Sequence, residues 1–312
     1  MVTNVKLDLK SYKSDVHNNW CPGCGDFGIL TAMQMALLQL KIPPHQVALF
    51  SGIGCAGKTP HYVNVYGFHT LHGRVLPTAT GAKIANKDLT VLAVGGDGDG
   101  YGIGSGYFIN TGRRNLDFTY IVFNNAVYGL TKGQASPTLG KGIKTKSLPE
   151  ATILEGLNPI ALAVSSGYTF IARGYALDVR YLSNLIAQAI RHRGSSFIDV
   201  LQTCPTYNDL YTKDWYEDGP QGRPRIYKLE DSGHDPVVHD PNDPNELIAK
   251  KVQAISRSYE WGEQIPVGIY YQVDRPTYED EVALRRPSLG ETSLVDVDLN
   301  DRDVEPLLEA LR

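Results

Sequence analysis

Residues 95–125 read GGDGDGYGIGSGYFINTGRRNLDFTYIVFNN, and this stretch decides the fold. It begins at the end of the apolar run Leu89–Val94, which predicts a strand buried on both faces. A helical pattern and a second apolar strand, Phe118–Phe123, follow. Asp97 and Asn125 therefore lie just past the carboxyl ends of two neighbouring strands. Their oxygens suit Mg²⁺, which takes one or two protein oxygens and completes its octahedron with phosphate oxygens.

The same alternation of helices and strands extends on both sides of this stretch, from Asp26 to about Cys204. The predicted helices are Gly28–Leu40 with Asp26 as its cap, Leu76–Lys87, Tyr101–Thr111, Pro159–Ser166 and Val179–His192, and the further strands are Val47–Ser51, Thr169–Ala172 and Phe197–Leu201. Repeated strand–helix–strand units predict an α/β fold, a doubly wound and mostly parallel sheet with helices on both faces. Ligands of such sheets bind in the crevice at the carboxyl ends of the strands.

The character of the chain changes from Thr206 onward, where polar stretches rich in Pro and Gly replace the regular pattern. The patterned segments there are a helix at Glu246–Glu260, a strand at Val267–Gln272 and an acidic tail, Leu289–Arg312, with a short helical end. We therefore predict one domain over residues 1–205. Residues 206–312 are expected to form an extension that packs on the core and on a partner subunit, and a partly disordered tail is the alternative.

The composition places the chain among globular proteins. Hydrophobic residues make up 42% of it, and its formal net charge of −4 gives no attraction for nucleic acid or an anionic membrane. The segment Met1–Asn19 lacks the apolar region of a signal peptide, and no apolar run approaches the length of a membrane span. A cytoplasmic protein without nucleic-acid or membrane partners is expected.

A competing motif lies at Gly52–Thr59, which matches the nucleotide-binding pattern G-x-x-x-x-G-K-[ST] after a strand. Two observations disfavour that function. Pro60 follows Thr59 directly and disfavours the helical conformation that Thr59 needs in such a loop. Cys55 also occupies the phosphate cradle, where a thiol has no use. Residues 96–100 taken alone are equally compatible with an ordinary strand-to-helix turn, but the Asn pair after the next strand argues against that.

The four cysteines, Cys21, Cys24, Cys55 and Cys204, indicate metal or redox chemistry more than a disulfide framework. Zinc sites usually pair two short-spaced ligand motifs, whereas Cys55 and Cys204 are single and distant. Cys204 is followed by Pro205, as ligands of iron–sulfur clusters often are. The residues alone favour a 4Fe–4S cluster but leave zinc and inert thiols open. A zinc-stabilised scaffold without catalysis is thus the alternative class of function.

The G-D-G…N-N pattern resembles that of the thiamine diphosphate enzymes. Further motifs are WCPGCG at Trp20–Gly25, GIGC at Gly52–Cys55, HGR at His72–Arg74 and YGLTKGQ at Tyr128–Gln134. Together these motifs resemble those of the beta subunits of archaeal-type 2-oxoacid:ferredoxin oxidoreductases, over about Val16 to Tyr278.

The resemblance implies a sheet of the thiamine diphosphate-binding type and assigns residues to its cofactors. Mg²⁺ is expected on Asp97, Asn125 and the backbone carbonyl of Val127, and one 4Fe–4S cluster on all four cysteines. The expected cofactor contacts are Gly98, Asp99, Gly129 and Leu130 on the diphosphate, and Ile53, Gly54, Cys55, Ala56 and His72 on the thiamine. Without the resemblance, His72 would more often be a structural histidine.

The implied reaction is the oxidative decarboxylation of a 2-oxoacid, such as pyruvate or 2-oxoglutarate, to acyl-coenzyme A and CO₂, with electrons passed through the cluster to ferredoxin. No catalytic residue is assigned in this chain. The activating glutamate is expected from an alpha subunit, in a heterodimer or a dimer of heterodimers, because the chain is too short for two such domains. Lys58 and Lys132 are candidates for holding a second substrate carboxylate, although an exposed lysine is usually just solvated.

Overall fold

A computed structural model of the chain describes residues 7–287, 292–297 and 303–311. The helices are α1 (Asp26–Leu40), α2 (Thr59–Tyr62), α3 (Val75–Ala85), α4 (Ser105–Arg114), α5 (Pro159–Ser166), α6 (Val179–Arg191), α7 (Lys213–Glu217), α8 (Pro244–Ser258), α9 (Tyr278–Arg285) and α10 (Glu305–Glu309). The strands are β1 (Val47–Ser51), β2 (Tyr66–His69), β3 (Thr90–Gly96), β4 (Phe118–Asn124), β5 (Val127–Tyr128), β6 (Gln134–Ala135), β7 (Phe170–Tyr175), β8 (Ser195–Leu201), β9 (Ile226–Lys228) and β10 (Ile265–Gln272). A π-helical turn, Gly98–Ile103, joins β3 to α4.

Eight strands form one sheet in the order β2-β1-β3-β4-β8-β7-β10-β9. The strands from β2 to β7 in this order are parallel to their neighbours, β10 is antiparallel to β7, and β9 is parallel to β10. The predicted α/β fold with a mostly parallel sheet is confirmed. Gly96 pairs with Phe123, and Asn124 pairs with Leu201, so β3, β4 and β8 end at one edge.

Both faces of the sheet are covered, and single strands contribute to both. Leu92 and Val94 of β3 belong to the core beneath α1 and α6, whereas Val91 and Ala93 belong to the core beneath α3, α4 and α5. Side chains alternate across a strand, so a strand covered on both faces must be apolar throughout. This explains why the inner strands read as continuous apolar runs.

Three local predictions about the first domain were incomplete or wrong. β2 was missed, because all four of its residues are exposed and only pairing with β1 identifies it as a strand. Asp26 is not the cap of α1: the cap position is Gly25, and the Asp26 side chain is buried. Thr59 has helical dihedrals (φ −50°, ψ −42°), because Pro60 lies in the first turn of α2, where proline is tolerated.

The residues after 205 add β9 and β10 to the same sheet, and α8 packs on α5, where Asn158 Nδ2 donates to Ser258 Oγ (2.9 Å). The predicted helix and strand of this region are found as α8 and β10. Of the predicted acidic tail Leu289–Arg312, residues 292–297 and 303–311 are described and include α10, and the rest lies outside the described residues. Within the described part of the chain, no helix is long and apolar enough to cross a membrane.

Candidate functional site

A cleft opens at the carboxyl ends of β1, β3 and β4, between the loops that leave these strands. Its wall contains every residue that the sequence placed against thiamine diphosphate or its metal: Ile53, Gly54, Cys55, Ala56, His72, Asp97, Gly98, Asp99, Asn125, Val127, Gly129 and Leu130. The structure therefore brings together four separate segments of the chain. Asp26, Gly96, Phe123, Tyr128 and Thr131 also line the cleft and were not predicted to do so.

Asp97 follows β3 directly, and its carboxylate is buried (1% exposed). Oδ2 accepts hydrogen bonds from the hydroxyls of Ser136 and Thr138, the second at 2.6 Å. Both side-chain hydrogen bonds thus fall on one oxygen. Burial raises the pKa of Asp97 to about 6, so ionising this carboxyl is costly. A cation at its other oxygen would offset that cost.

Asn125 follows β4 directly and is held in a tight turn. Its Oδ1 accepts the backbone N–H of Val127 (3.0 Å), and Asn208 Nδ2 donates to its backbone carbonyl (2.9 Å). Ala126 between them has a left-handed φ of 63°, a conformation that a non-glycine residue seldom adopts. The turn places Asn125 and Val127, which carry an amide oxygen and a backbone carbonyl, in the wall of the cleft that Asp97 also lines. This set of hard oxygen donors is the kind that Mg²⁺ prefers.

Asp99 ties three loops of the cleft together. Its Oδ1 accepts the backbone N–H of Ile53 (3.0 Å), the backbone N–H of Gly73 (2.8 Å) and Nδ1 of His72 (2.6 Å). One oxygen of the carboxylate is therefore held by three protein groups, whereas Oδ2 is buried and has no partner among the described residues. A carboxylate can only accept, so Nδ1 of His72 carries the proton. When the ring is neutral, Nε2 is left as an acceptor.

The Tyr128 ring packs on the loop that follows β3 and forms part of the cleft wall. Its hydroxyl donates to the carbonyl of Gly98 (3.2 Å), and a Cβ added to Gly98 would lie 2.2 Å from the ring carbon Cε1. Glycine is therefore required where the ring crosses the backbone. Sequence reasoning missed Tyr128, although it opens the YGLTKGQ motif.

The cysteine-bearing loops meet beside the cleft. The sulfurs of Cys55 and Cys204 lie 3.6 and 3.7 Å from the position of a Cβ on Gly129, so both approach one point. Cys24 Sγ lies 3.2 Å from Nε2 of Gln202, and Cys21 at the start of the same loop is exposed. Cys55 therefore belongs both to the cleft and to the cysteine group.

The cysteines supply soft sulfur donors without a preformed coordination geometry. Burial raises the pKa of Cys55 to about 11 and also raises the pKa values of Cys24 and Cys204. These thiols are thus protonated at neutral pH unless a metal centre binds them as thiolates. Among the described residues, no three His, Cys, Asp or Glu side chains are placed to hold a metal ion. The donor chemistry suits an iron–sulfur cluster or zinc, since both bind thiolates.

The two lysines predicted to hold a substrate carboxylate do not line the cleft. Lys58 Nζ donates to Asn19 Oδ1 (3.1 Å), and Lys132 is exposed on the turn between β5 and β6 with a φ of 79°. The Lys58 ammonium group is nevertheless close enough to the cleft residues Asp26 and Cys55 to oppose the rise that burial causes in their pKa values.

Comparison with known proteins identifies two family domains in the chain. Residues 45–200 match the C-terminal TPP-binding domain of thiamine pyrophosphate enzymes, and residues 204–285 match the C-terminal part of the pyruvate ferredoxin oxidoreductase beta subunit. The sequence is 54% identical over 282 residues to 2-oxoacid:ferredoxin oxidoreductase 1, subunit beta, of Aeropyrum pernix, covering 90% of this chain and 86% of that one. It is 55% identical over 275 residues to the subunit beta of the 2-oxoacid:ferredoxin oxidoreductase of Saccharolobus solfataricus, covering 87% of each chain.

The fold also matches a solved structure over nearly its whole length. This is the 2-oxoglutarate:ferredoxin oxidoreductase of Magnetococcus marinus, determined with 2-oxoglutarate, coenzyme A and succinyl-CoA bound. The two chains share 32% identity with a TM-score of 0.82, and the match covers 99% of this chain and 97% of the other.

Proposed function

The chain belongs to the family of 2-oxoacid:ferredoxin oxidoreductase beta subunits, and from this premise we propose that its cleft binds the diphosphate half of thiamine diphosphate through Mg²⁺. The observation that carries the proposal is the shared cleft. Asp97, Asn125 and Val127 line it together at the ends of β3 and β4, and one of the four cysteines, Cys55, lines it as well.

Asp97, Asn125 and the carbonyl of Val127 would hold Mg²⁺ against the diphosphate. The glycine backbone at Gly98 and Gly129 would approach the phosphates closely, because neither residue presents a side chain. When bound, thiamine diphosphate supplies the electron sink for decarboxylating a 2-oxoacid. The protein contributes fixed positions: Asp99 holds the loop of His72, and the Tyr128 ring covers one side of the cleft.

We assign the electron acceptor to the four cysteines, which would ligate one 4Fe–4S cluster beside the cofactor. Cys55 would then be a cluster ligand and part of the cofactor wall. The electrons would leave the cluster one at a time to ferredoxin, and the acyl group would pass to coenzyme A. Ferredoxin is part of the names of the relatives, and coenzyme A is bound in the solved neighbour.

The beta subunit needs an alpha subunit, and the cleft supports one that completes the site. Of the described residues that line the cleft, none is a glutamate, so the glutamate that activates the cofactor would come from the partner. Large apolar side chains are exposed beside the cleft: Leu71 (77%), Ile103 (66%) and Leu130 (48%). Such a patch is typical of a surface that another subunit covers. A heterodimer or a dimer of heterodimers would bury it.

The substrate proposed is a 2-oxoacid such as pyruvate or 2-oxoglutarate. Lys58 and Lys132 stay candidates for a second carboxylate only in the assembled enzyme. Lys132 follows the cleft residues Gly129 and Leu130 closely in sequence, so a modest movement of its long side chain would bring the ammonium group to the mouth of the cleft.

The test is anaerobic purification of the chain, alone and with its alpha subunit, followed by iron, zinc and thiamine analysis. We expect a brown protein with about four iron atoms per chain and no zinc, and 2-oxoacid oxidation only when both subunits are present. Cys204→Ala should lose the colour and most of the iron. A colourless protein with stoichiometric zinc would instead support the zinc-stabilised scaffold, and full turnover by the chain alone would contradict the need for a partner.

A further inference from the structure

Gln202 is a buried amide between two cysteine-bearing loops. It directly follows β8, is 1% exposed and lies two residues before Cys204. Its Nε2 donates to the carbonyl of Thr203 (2.9 Å) and to Sγ of Cys24 (3.2 Å). Because a carbonyl oxygen can only accept, the nitrogen of the amide must lie on this side. The N–H that points at the Cys24 sulfur is therefore fixed by the neighbouring bond.

Close packing holds this amide in place. Gly25 donates its backbone N–H to the carbonyl of Thr203 (3.1 Å), and a Cβ on Gly25 would lie only 2.7 Å from Cγ of Gln202. The Gln202 side chain thus packs so closely against position 25 that only glycine fits there. Its Oε1 is buried and has no partner in the described part of the chain. Leaving an amide oxygen unpaired costs stability, so the position of this residue needs a reason other than folding.

We propose that Gln202 is a positioning residue that raises the reduction potential of the iron–sulfur cluster through an N–H···S hydrogen bond to Cys24. The inference rests on the proposed function, in which Cys24 is a cluster ligand. Reduction adds negative charge to the cluster and its sulfurs, and a hydrogen-bond donor stabilises the more negative state more strongly. Losing the donor should therefore make the cluster harder to reduce.

The experiment measures the cluster potential in the full chain, purified anaerobically with its alpha subunit. Gln202→Met removes the donor at similar volume, and Gln202→Glu removes the amide nitrogen and adds negative charge. The matched control is Gln34→Met, because Gln34 is an equally buried amide that donates to the carbonyls of Tyr12 and Tyr62, away from the cysteines. A redox titration followed by the paramagnetic signal of the reduced cluster gives the potential.

We expect a shift to lower potential in Gln202→Met, a larger shift in Gln202→Glu and none in Gln34→Met. If Gln202→Met fails to fold, Gln202→Leu, which is neutral and also lacks the donor, decides the question, since a lower potential in Gln202→Glu alone could come from its added charge. Unchanged potentials in variants with full iron content overturn the role of Gln202 and leave the proposed function intact. Loss of iron from both Gln202 variants also overturns it, because the amide would then serve assembly. Absence of iron from the unmutated protein refutes the cluster itself and this inference with it.

Discussion

Replacing Asp97 by Asn should stabilise the cofactor-free chain and abolish its metal site. The carboxylate is fully buried, and its hydrogen bonds from Ser136 and Thr138 do not fully compensate the loss of water. A rise in the pKa of Asp97 from 3.8 to about 6 corresponds to about 3 kcal/mol. Since Asn is a neutral side chain of the same shape, Asp97→Asn should raise the free energy of unfolding by up to about 3 kcal/mol at pH 7.5.

The sign of the pH dependence follows from the direction of the shift. The native carboxyl of Asp97 binds its proton more tightly than the unfolded one does. The stabilisation that comes from this tighter proton binding is therefore fully present below pH 3.8 and is lost as the pH rises through about 6. The advantage of Asp97→Asn should fall from about 3 kcal/mol at pH 7.5 to about 1.5 kcal/mol at pH 5. All other titrating groups are common to both proteins, so the difference isolates this carboxyl.

Urea denaturation of both cofactor-free proteins at pH 5, 6 and 7.5 measures the effect. Titration calorimetry with thiamine diphosphate and Mg²⁺ measures the lost site. Asp199→Asn is the contrasting variant, because Asp199 is equally buried but is paired with Arg173 (3.1 Å). It should lower the free energy of unfolding by about 3–5 kcal/mol by leaving the guanidinium without a counter-charge. The reasoning would be refuted if Asp97→Asn lowered the free energy of unfolding. It would also be refuted if the difference in unfolding free energy between the two proteins did not change with pH.

Three further changes test the cleft. Gly98→Ala places a methyl group 2.2 Å from the Tyr128 ring, so thiamine diphosphate should bind about tenfold more weakly by calorimetry. The control Gly81→Ala, which lies in α3 outside the cleft and whose added carbon has nothing within 4 Å, should bind normally. Asp99→Ala leaves the buried backbone N–H of Gly73 and the partly buried N–H of Ile53 without this acceptor and should lower the free energy of unfolding by about 2–4 kcal/mol, measured in urea. Lys132→Ala should raise KM for 2-oxoglutarate about tenfold and leave that for pyruvate unchanged, and an equal effect on both substrates would reject its role.

The inner strands could be predicted from the sequence because each is covered on both faces. Every residue of β4 and β8 is buried, so each strand is marked by its own composition. β2 carries no such mark, since Tyr66-Gly67-Phe68-His69 is exposed throughout and becomes a strand only through pairing with β1. The joining of β10 to β7 in antiparallel sense is likewise a long-range event, and no local pattern encodes it.

Some residues of the site could likewise be predicted from the sequence, and others could not. Residues at strand ends were predictable, because parallel pairing fixes where the strands stop and therefore brings Asp97 and Asn125 to one edge. The residues that orient them were not. Ser136 and Thr138 follow β6 in the sequence, and no spacing pattern predicts that their hydroxyls donate to the distant Asp97. The sequence likewise carried no sign that the Asp99 carboxylate accepts the backbone N–H groups of Ile53 and Gly73.

The proposed Mg²⁺ would also neutralise negative charge in the cleft, in addition to positioning the diphosphate. Three buried carboxylates line the cleft, and each is compensated to a different degree. Asp99 accepts three hydrogen bonds at Oδ1 and Asp97 accepts two at Oδ2. Oδ2 of Asp99 and Oδ2 of Asp26 have no partner among the described residues, and burial raises the pKa of Asp26 to about 7. Of the described residues in the wall, none is a lysine or arginine. An anionic diphosphate bound there would lie against these carboxylates, and the proposed divalent cation would neutralise charge on both sides.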